Sequence, residues 1–192
     1  MVDLKGNTTA RPVIQGSAEF SDCGFYRHRL DRWWGEAPRA LVIGANPSRA
    51  GADDNDPTIC RLIALLSWRT DIGGFTMMNA DDFIATDPAD HVRWRDGLDI
   101  TALKFVRGQN LQRIRDVSTT AAVRIVAFGN LLTPGLHRDR VLAALSLDGR
   151  HPLFAFGLTD SGAPKHPLAR GHHRIPNDAP LIEWRPALRS AA

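Results

Sequence analysis

Four apolar, β-rich runs punctuate the chain: "RALVIGAN" (39–46), "GFTMMNA" (74–80), "VRIVAFGN" (123–130) and "PLFAFGLT" (152–159). The first is almost continuously hydrophobic, the signature of a strand buried on both faces. Between the runs the period changes to that of a helix. In "DPTICRLIALLSW", Ile59, Leu62, Ile63 and Leu66 recur at i, i+3, i+4 and i+7, with Asp56 placed to cap the helix and Pro57 at its first position. Further helices are predicted within Asp99–Ser118 and Gly135–Leu147. Upstream, "SAEFSDCGFYRHRLDRWW" reads as two short strands around Asp22-Cys23-Gly24, a β hairpin. Strands alternating with helices predict an α/β fold with a largely parallel sheet and crossover connections. Residues 1–15 show no periodicity and are expected to form a flexible lead, 16–186 one domain, and 187–192 a flexible tail.

Composition adds limits to this picture. A chain of 192 residues with 43% hydrophobic and 23% charged residues suits one globular domain with a real core. Its apolar runs are too short to cross a bilayer, and "MVDLKGNTTARPV" lacks the apolar stretch of a secretory signal. Two cysteines, Cys23 and Cys60, are too few for a disulfide framework, so reduced thiols and a cytoplasmic location are expected. The net charge of +3 is concentrated after Ser161, where Lys165, Arg170, Arg174, Arg185 and Arg189 face only Asp178 and Glu183. Such a segment suits a phosphate-bearing partner, or is simply a solvated, arginine-rich end; charge alone does not separate the two.

In parallel sheets, ligands bind beyond the carboxyl ends of the strands. The residues there are Asn46-Pro47-Ser48, Asn79-Ala80-Asp81-Asp82, Gly129-Asn130 and, shortly after the last run, Lys165-His166-Pro167. Each has a plain alternative. Asn46 and Asn79 could serve turn chemistry or orient a water and read a heterocycle edge. Asp53, Asp54 and Asp56 could cap the next helix, activate a water or, third in order, hold a cation, although "DDND" lacks the glycine-containing spacing of a calcium loop. Pro164 and Pro167 bracket His166 and would fix the direction of an imidazole able to donate to a developing anion. His172-His173 have neither a cysteine partner nor a third ligand at metal spacing, so no zinc site is expected. The phosphate-loop, dinucleotide and nucleophile-elbow motifs are absent from the sequence.

"GFYRHRLDRWW", "ANPSRAGADDNDPTICRLIAL", "GGFTMMNADDFIATDP", "VAFG" and "LFAFGLTDSGAPKHPL" together resemble a family catalogued as domain of unknown function 1643, over roughly residues 18–186. More distantly, the order of motifs at strand ends is similar to the uracil-DNA glycosylase superfamily. That likeness implies a four-stranded parallel sheet flanked by helices. It also implies a hydrolase that releases a damaged or modified base from DNA, or from a nucleoside or nucleotide, by water attack on the sugar carbon. "IGANPS" would place Asn46 as the residue positioning the water; apart from the likeness, the chain's own Asp53 or Asp56 could help fix that water. "MMNA" would make Asn79 the base-reading amide, and "KHPL" would make His166 the group that stabilises the leaving base, with Leu168 as a wedge in the DNA groove. Pro47, Ser48 and Gly129 would line the substrate site, and Lys165, Arg170 and Arg174 would hold phosphates. No cofactor or metal is implied, and a monomer without membrane contact is expected. The alternatives are a binding protein for modified nucleic acid without catalysis, and a metal-dependent nucleotide or phosphoester hydrolase using the acidic cluster.

Overall fold

The protein is described by a computed structural model over residues 13–188. Most of the expected lead (1–12) and the end of the expected tail (189–192) lie outside the described residues. The chain opens with an antiparallel hairpin of β1 (Gln15–Phe20) and β2 (Arg27–Trp33). Then follow β3 (Arg39–Gly44), α1 (Pro57–Leu66), β4 (Gly74–Asn79), α2 (Pro88–Gly97), α3 (Ile100–Ser118), β5 (Arg124–Val126), α4 (Leu136–Ser146), β6 (Leu153–Ala155) and β7 (Ile182–Arg185). The strands form one seven-stranded sheet ordered β1-β2-β4-β3-β5-β6-β7.

The four apolar runs supply its parallel centre, in which β3 pairs with both β4 and β5, and β5 with β6. The sheet nevertheless has seven strands rather than four. The hairpin joins the main sheet through an antiparallel β2–β4 pairing, and β7 closes the other side against β6. A bare β4 edge would expose a row of backbone donors and acceptors beside a fully buried apolar strand; the hairpin covers it.

Continuous hydrophobicity in β3 follows from burial on both sides. Ala40 and Val42 join Leu62, Leu65 and Leu66 of α1 in one core layer, while Leu41 and Ile43 pack with Ile114, Val141 and Leu145 in the other. Full burial of each Leu, Val or Ile side chain contributes about 1.5–3 kcal/mol before entropy is counted. Asp56 caps α1 by accepting from the Ile59 amide at 2.8 Å, with Pro57 opening the first turn. Asp99 caps α3 through the Thr101 and Ala102 amides.

Where β4 begins, backbone approaches backbone without room for a side chain. A Cβ on Gly73 would sit 2.6 Å from the Gly35 carbonyl oxygen and closer still to that of Ala37. Gly73→Ala is therefore expected to destabilise the fold by roughly 1–3 kcal/mol, as overpacking does. A urea midpoint unchanged from wild type would disprove that crowding.

Candidate functional site

The chain runs from β3 outward to β4, then returns to place β5 on the other side of β3. This reversal is a topological switch point, and the loops leaving β3 and β5 open a crevice there. A cleft of ≈ 160 Å³ occupies it, lined among others by Gly44, Asn46, Ser48, Asp56, Thr58 and His166. That is well below the roughly 300–1,000 Å³ typical of sites enclosing drug-sized ligands, so it suits one ring system rather than a whole nucleotide.

The side chains are held in defined states. Asn46, which lines the cleft, donates from Nδ2 to the Ala85 carbonyl at 2.7 Å, which leaves Oδ1 available as an acceptor. The Ser48 hydroxyl donates to Asp56 Oδ2 while Asp56 Oδ1 caps α1. One carboxylate thus ties the β3 loop to the helix start. His166 Nδ1 accepts from the Leu168 amide at 3.2 Å, so the neutral ring carries its proton on Nε2. Burial pushes its pKa below the ordinary histidine value, partly opposed by the nearby Asp56 carboxylate. Gly129 allows the imidazole to sit where it does. Its φ of 60° is left-handed, and a Cβ there would lie 3.1 Å from that of His166.

Two buried arginines organise this end of the sheet. Arg27 is 2% exposed, borders the cleft, and donates to the Ala50 carbonyl and to Asn79 Oδ1. Its Nε has no hydrogen-bond partner among the described residues. Burial pulls its pKa down to about 10, partly offset by Asp56, so it remains a cation at neutral pH. Arg32 binds Asn55 Oδ1 and the carbonyls of Gly51 and Asp54. This clamp accounts for Asn55 in the polar turn, whereas Asp53 and Asp54 are exposed and line no part of the cleft.

Of the residues expected from sequence, Asn46, Ser48, Asp56 and His166 meet in the cleft, and Gly129 backs it. Pro47 is buried beside it, its carbonyl accepting from the Ala85 amide. Asn79 is buried behind the cleft with its oxygen engaged by Arg27, rather than lining it. Lys165 lays its stem near Gly157, Leu168 is 38% exposed, and Arg170 and Arg174 are exposed on the following loop. The sequence reading missed Arg27. It sits within β2 in an alternating pattern, and no local signal distinguishes a buried arginine from a solvated one there.

Behind the cleft, the carboxylate after β4 serves as an anchor. Asp81, 3% exposed, accepts two hydrogen bonds from Arg107 of α3, at 2.7 and 2.8 Å, and one from His91 of α2 at 3.0 Å. His137 Nε2 of α4 lies 3.1 Å from Asp81 Oδ1. Burial opposes ionisation of Asp81, but the close His137, His91 and Arg107 outweigh it and hold the carboxyl far below its ordinary range. For its neighbour Asp82, burial prevails over His28 at 2.8 Å and Arg113, and the pKa is raised. Asn110 of α3 completes the brace by donating to the Asn79 and Ala80 carbonyls.

A wider hollow of ≈ 500 Å³ lies near the amino end of β3, but Arg29 and Arg39 on its wall are already paired with Asp31. Beside the cleft, and sharing Ala85 and Thr86 with it, a groove of ≈ 690 Å³ runs past Phe25, Phe83, Trp94, Arg49 and Arg93. No helix among the described residues is long and apolar enough to cross a membrane. No curated protein and no solved structure matches the chain. The family model described as "Protein of unknown function (DUF1643)" matches residues 27–168, from Arg27 to just past the cleft histidine; the chain belongs to that family.

Proposed function

We propose that the cleft is the active site of an N-glycosidase that releases a damaged or modified base from DNA or from a nucleotide. The observation that carries this reading is the meeting of two kinds of group in a space sized for one ring. Asn46 Oδ1 and the Ser48–Asp56 pair are acceptors suited to a water, and His166 Nε2–H is a donor suited to a departing base. In the reaction, the bond between sugar carbon and base nitrogen breaks, with the electron pair leaving on the base. His166 donates a hydrogen bond to that anion, and the water oxygen bonds to the sugar carbon as its proton passes to Asp56. The uncharged imidazole suits a donor that need not lose its proton. Buried Arg27 adds a fixed positive potential beside the site as negative charge develops on the base.

The neighbouring groove supports a polymeric partner. It combines an exposed aromatic, Phe25, with Arg49, a pairing suited to stacked bases and phosphates, while Arg93 on the same wall is paired with Asp90. A strand lying there would present one nucleotide, flipped out at a cost of about a few kcal/mol, to the cleft. We take the protein to act as a cytoplasmic monomer.

The test is a panel of oligonucleotides carrying uracil, hypoxanthine, xanthine, oxidised or hypermodified bases, incubated with the protein and then treated with alkali. Strand breaks at one modified base, persisting in chelator, are expected. Salt-dependent retention of an oligonucleotide without breaks would replace the glycosidase by a binding protein. Activity abolished by chelator would favour a metal-dependent hydrolase.

A further inference from the structure

We infer that Asp160, His172 and His173 form a binding site for a zinc-class divalent cation, independent of the cleft chemistry. The Nε2 atoms of both histidines lie 3.3 Å from the same oxygen, Asp160 Oδ2, and the three ligand atoms all fall within 4.8 Å of one another. A charge-assisted pair in its own right closes to about 2.7–2.9 Å. Two ligands of one tetrahedral zinc ion, each about 2.0–2.1 Å from the metal, stand about 3.3 Å apart. Both histidine–aspartate separations match the second spacing; the His172 contact also falls within hydrogen-bond range, and His173 adds a second nitrogen at the same distance from that oxygen. Two imidazoles and one carboxylate are a donor set that suits zinc, and also cobalt or nickel.

Both halves of the site are held by the backbone. Asp160 lies in a turn closed by hydrogen bonds from the Thr159 amide to Ala163 and from the Gly162 amide to Thr159. The histidines end a single 3-10 turn, Gly171–His173, in which the His173 amide donates to the Arg170 carbonyl. Asp160 and His172 are highly exposed, so water can complete the coordination shell. A cation there would close the segment from 160 to 173, which contains His166, and so fasten the loop carrying that imidazole. Sequence alone could not find the third ligand, because Asp160 stands 12 positions before His172.

The experiment is calorimetric titration of the untagged, metal-stripped protein with zinc chloride, alongside cobalt(II) absorption spectra and thermal melts. One saturable site per chain and a higher melting temperature with zinc are expected. Asp160→Asn and the double variant His172→Ala/His173→Ala should each weaken binding by about tenfold or more, while His166→Ala should leave it unchanged. Absence of saturable binding, or equal affinity in the double variant, would overturn the site. As a check that needs no variant, zinc must shift the side-chain nitrogen resonances of His172 and His173 in the wild-type protein; shifts confined to other histidines would likewise overturn it.

Discussion

His166→Ala is expected to lower turnover by about 10²–10³-fold, the usual loss when one donor to a developing anion is removed, while substrate affinity changes by no more than about threefold. The asymmetry follows from geometry. The ring's Nδ1 is occupied by the Leu168 amide, so its cleft-facing chemistry is a single N–H on Nε2. A neutral base gains little from that donor, whereas a base departing with the bond electrons gains much. Single-turnover kinetics with the substrate found in the oligonucleotide panel would measure the first effect, and fluorescence anisotropy the second. Equal losses in rate and affinity would remove His166 from the chemistry and make it a packing residue over Gly129.

Asp81→Ala is expected to destabilise the fold by about 3–5 kcal/mol, because it leaves the Arg107 guanidinium without its buried partner. That is a large share of the roughly 5–15 kcal/mol by which domains are stable, since this carboxylate joins α2, α3 and α4 to the end of β4. The pH dependence has a definite sign. The folded pKa of Asp81 lies far below the unfolded value of about 3.9, so its stabilisation is complete above about pH 4 and erodes as pH falls toward the folded pKa. Asp82 behaves oppositely. Its raised pKa makes the ionised form costly in the fold, and acidification through that pKa relieves the cost. Asp82→Asn should therefore be tolerated within about 1 kcal/mol. Urea denaturation of both variants at pH 7 and below pH 4 would check this: the Asp81→Ala deficit must narrow in acid. A deficit independent of pH would mean that the ionised carboxylate is not the source of the stability.

Much of the fold was legible because its signals are local. The apolar runs of β3 to β6, the Asp56-Pro57 start of α1 and the Asp99 start of α3 each depend on residues a few positions apart. α2 has no apolar stripe and none of its residues is fully buried, so periodicity could not reveal it. It is held by the Asp87 cap, by His91 on Asp81 and by Trp94 stacked on Phe83. β7 is a short, mostly exposed edge strand that takes its conformation from β6 rather than from its own pattern.

The same division holds for the candidate site. Asn46, Ser48, Asp56 and His166 could be named from sequence because strand ends in a parallel sheet gather on one rim, whatever the side chains do. Which of them share a cleft was decided by the order in which the strands assemble. Placing β5 beside β3 brings Gly129 under His166, and the hairpin's attachment to β4 brings Arg27 to the cleft and onto Asn79 Oδ1. The exposed Asp53 and the Asp160–histidine cluster depend likewise on contacts between distant segments. Sequence by itself determined β1 to β6, α1, α3 and α4, because those follow from short-range sterics and hydrophobic period. Tertiary structure alone decided which charges are buried, paired or left facing the cleft, because desolvation and Coulomb energy depend on distances that the chain order does not encode.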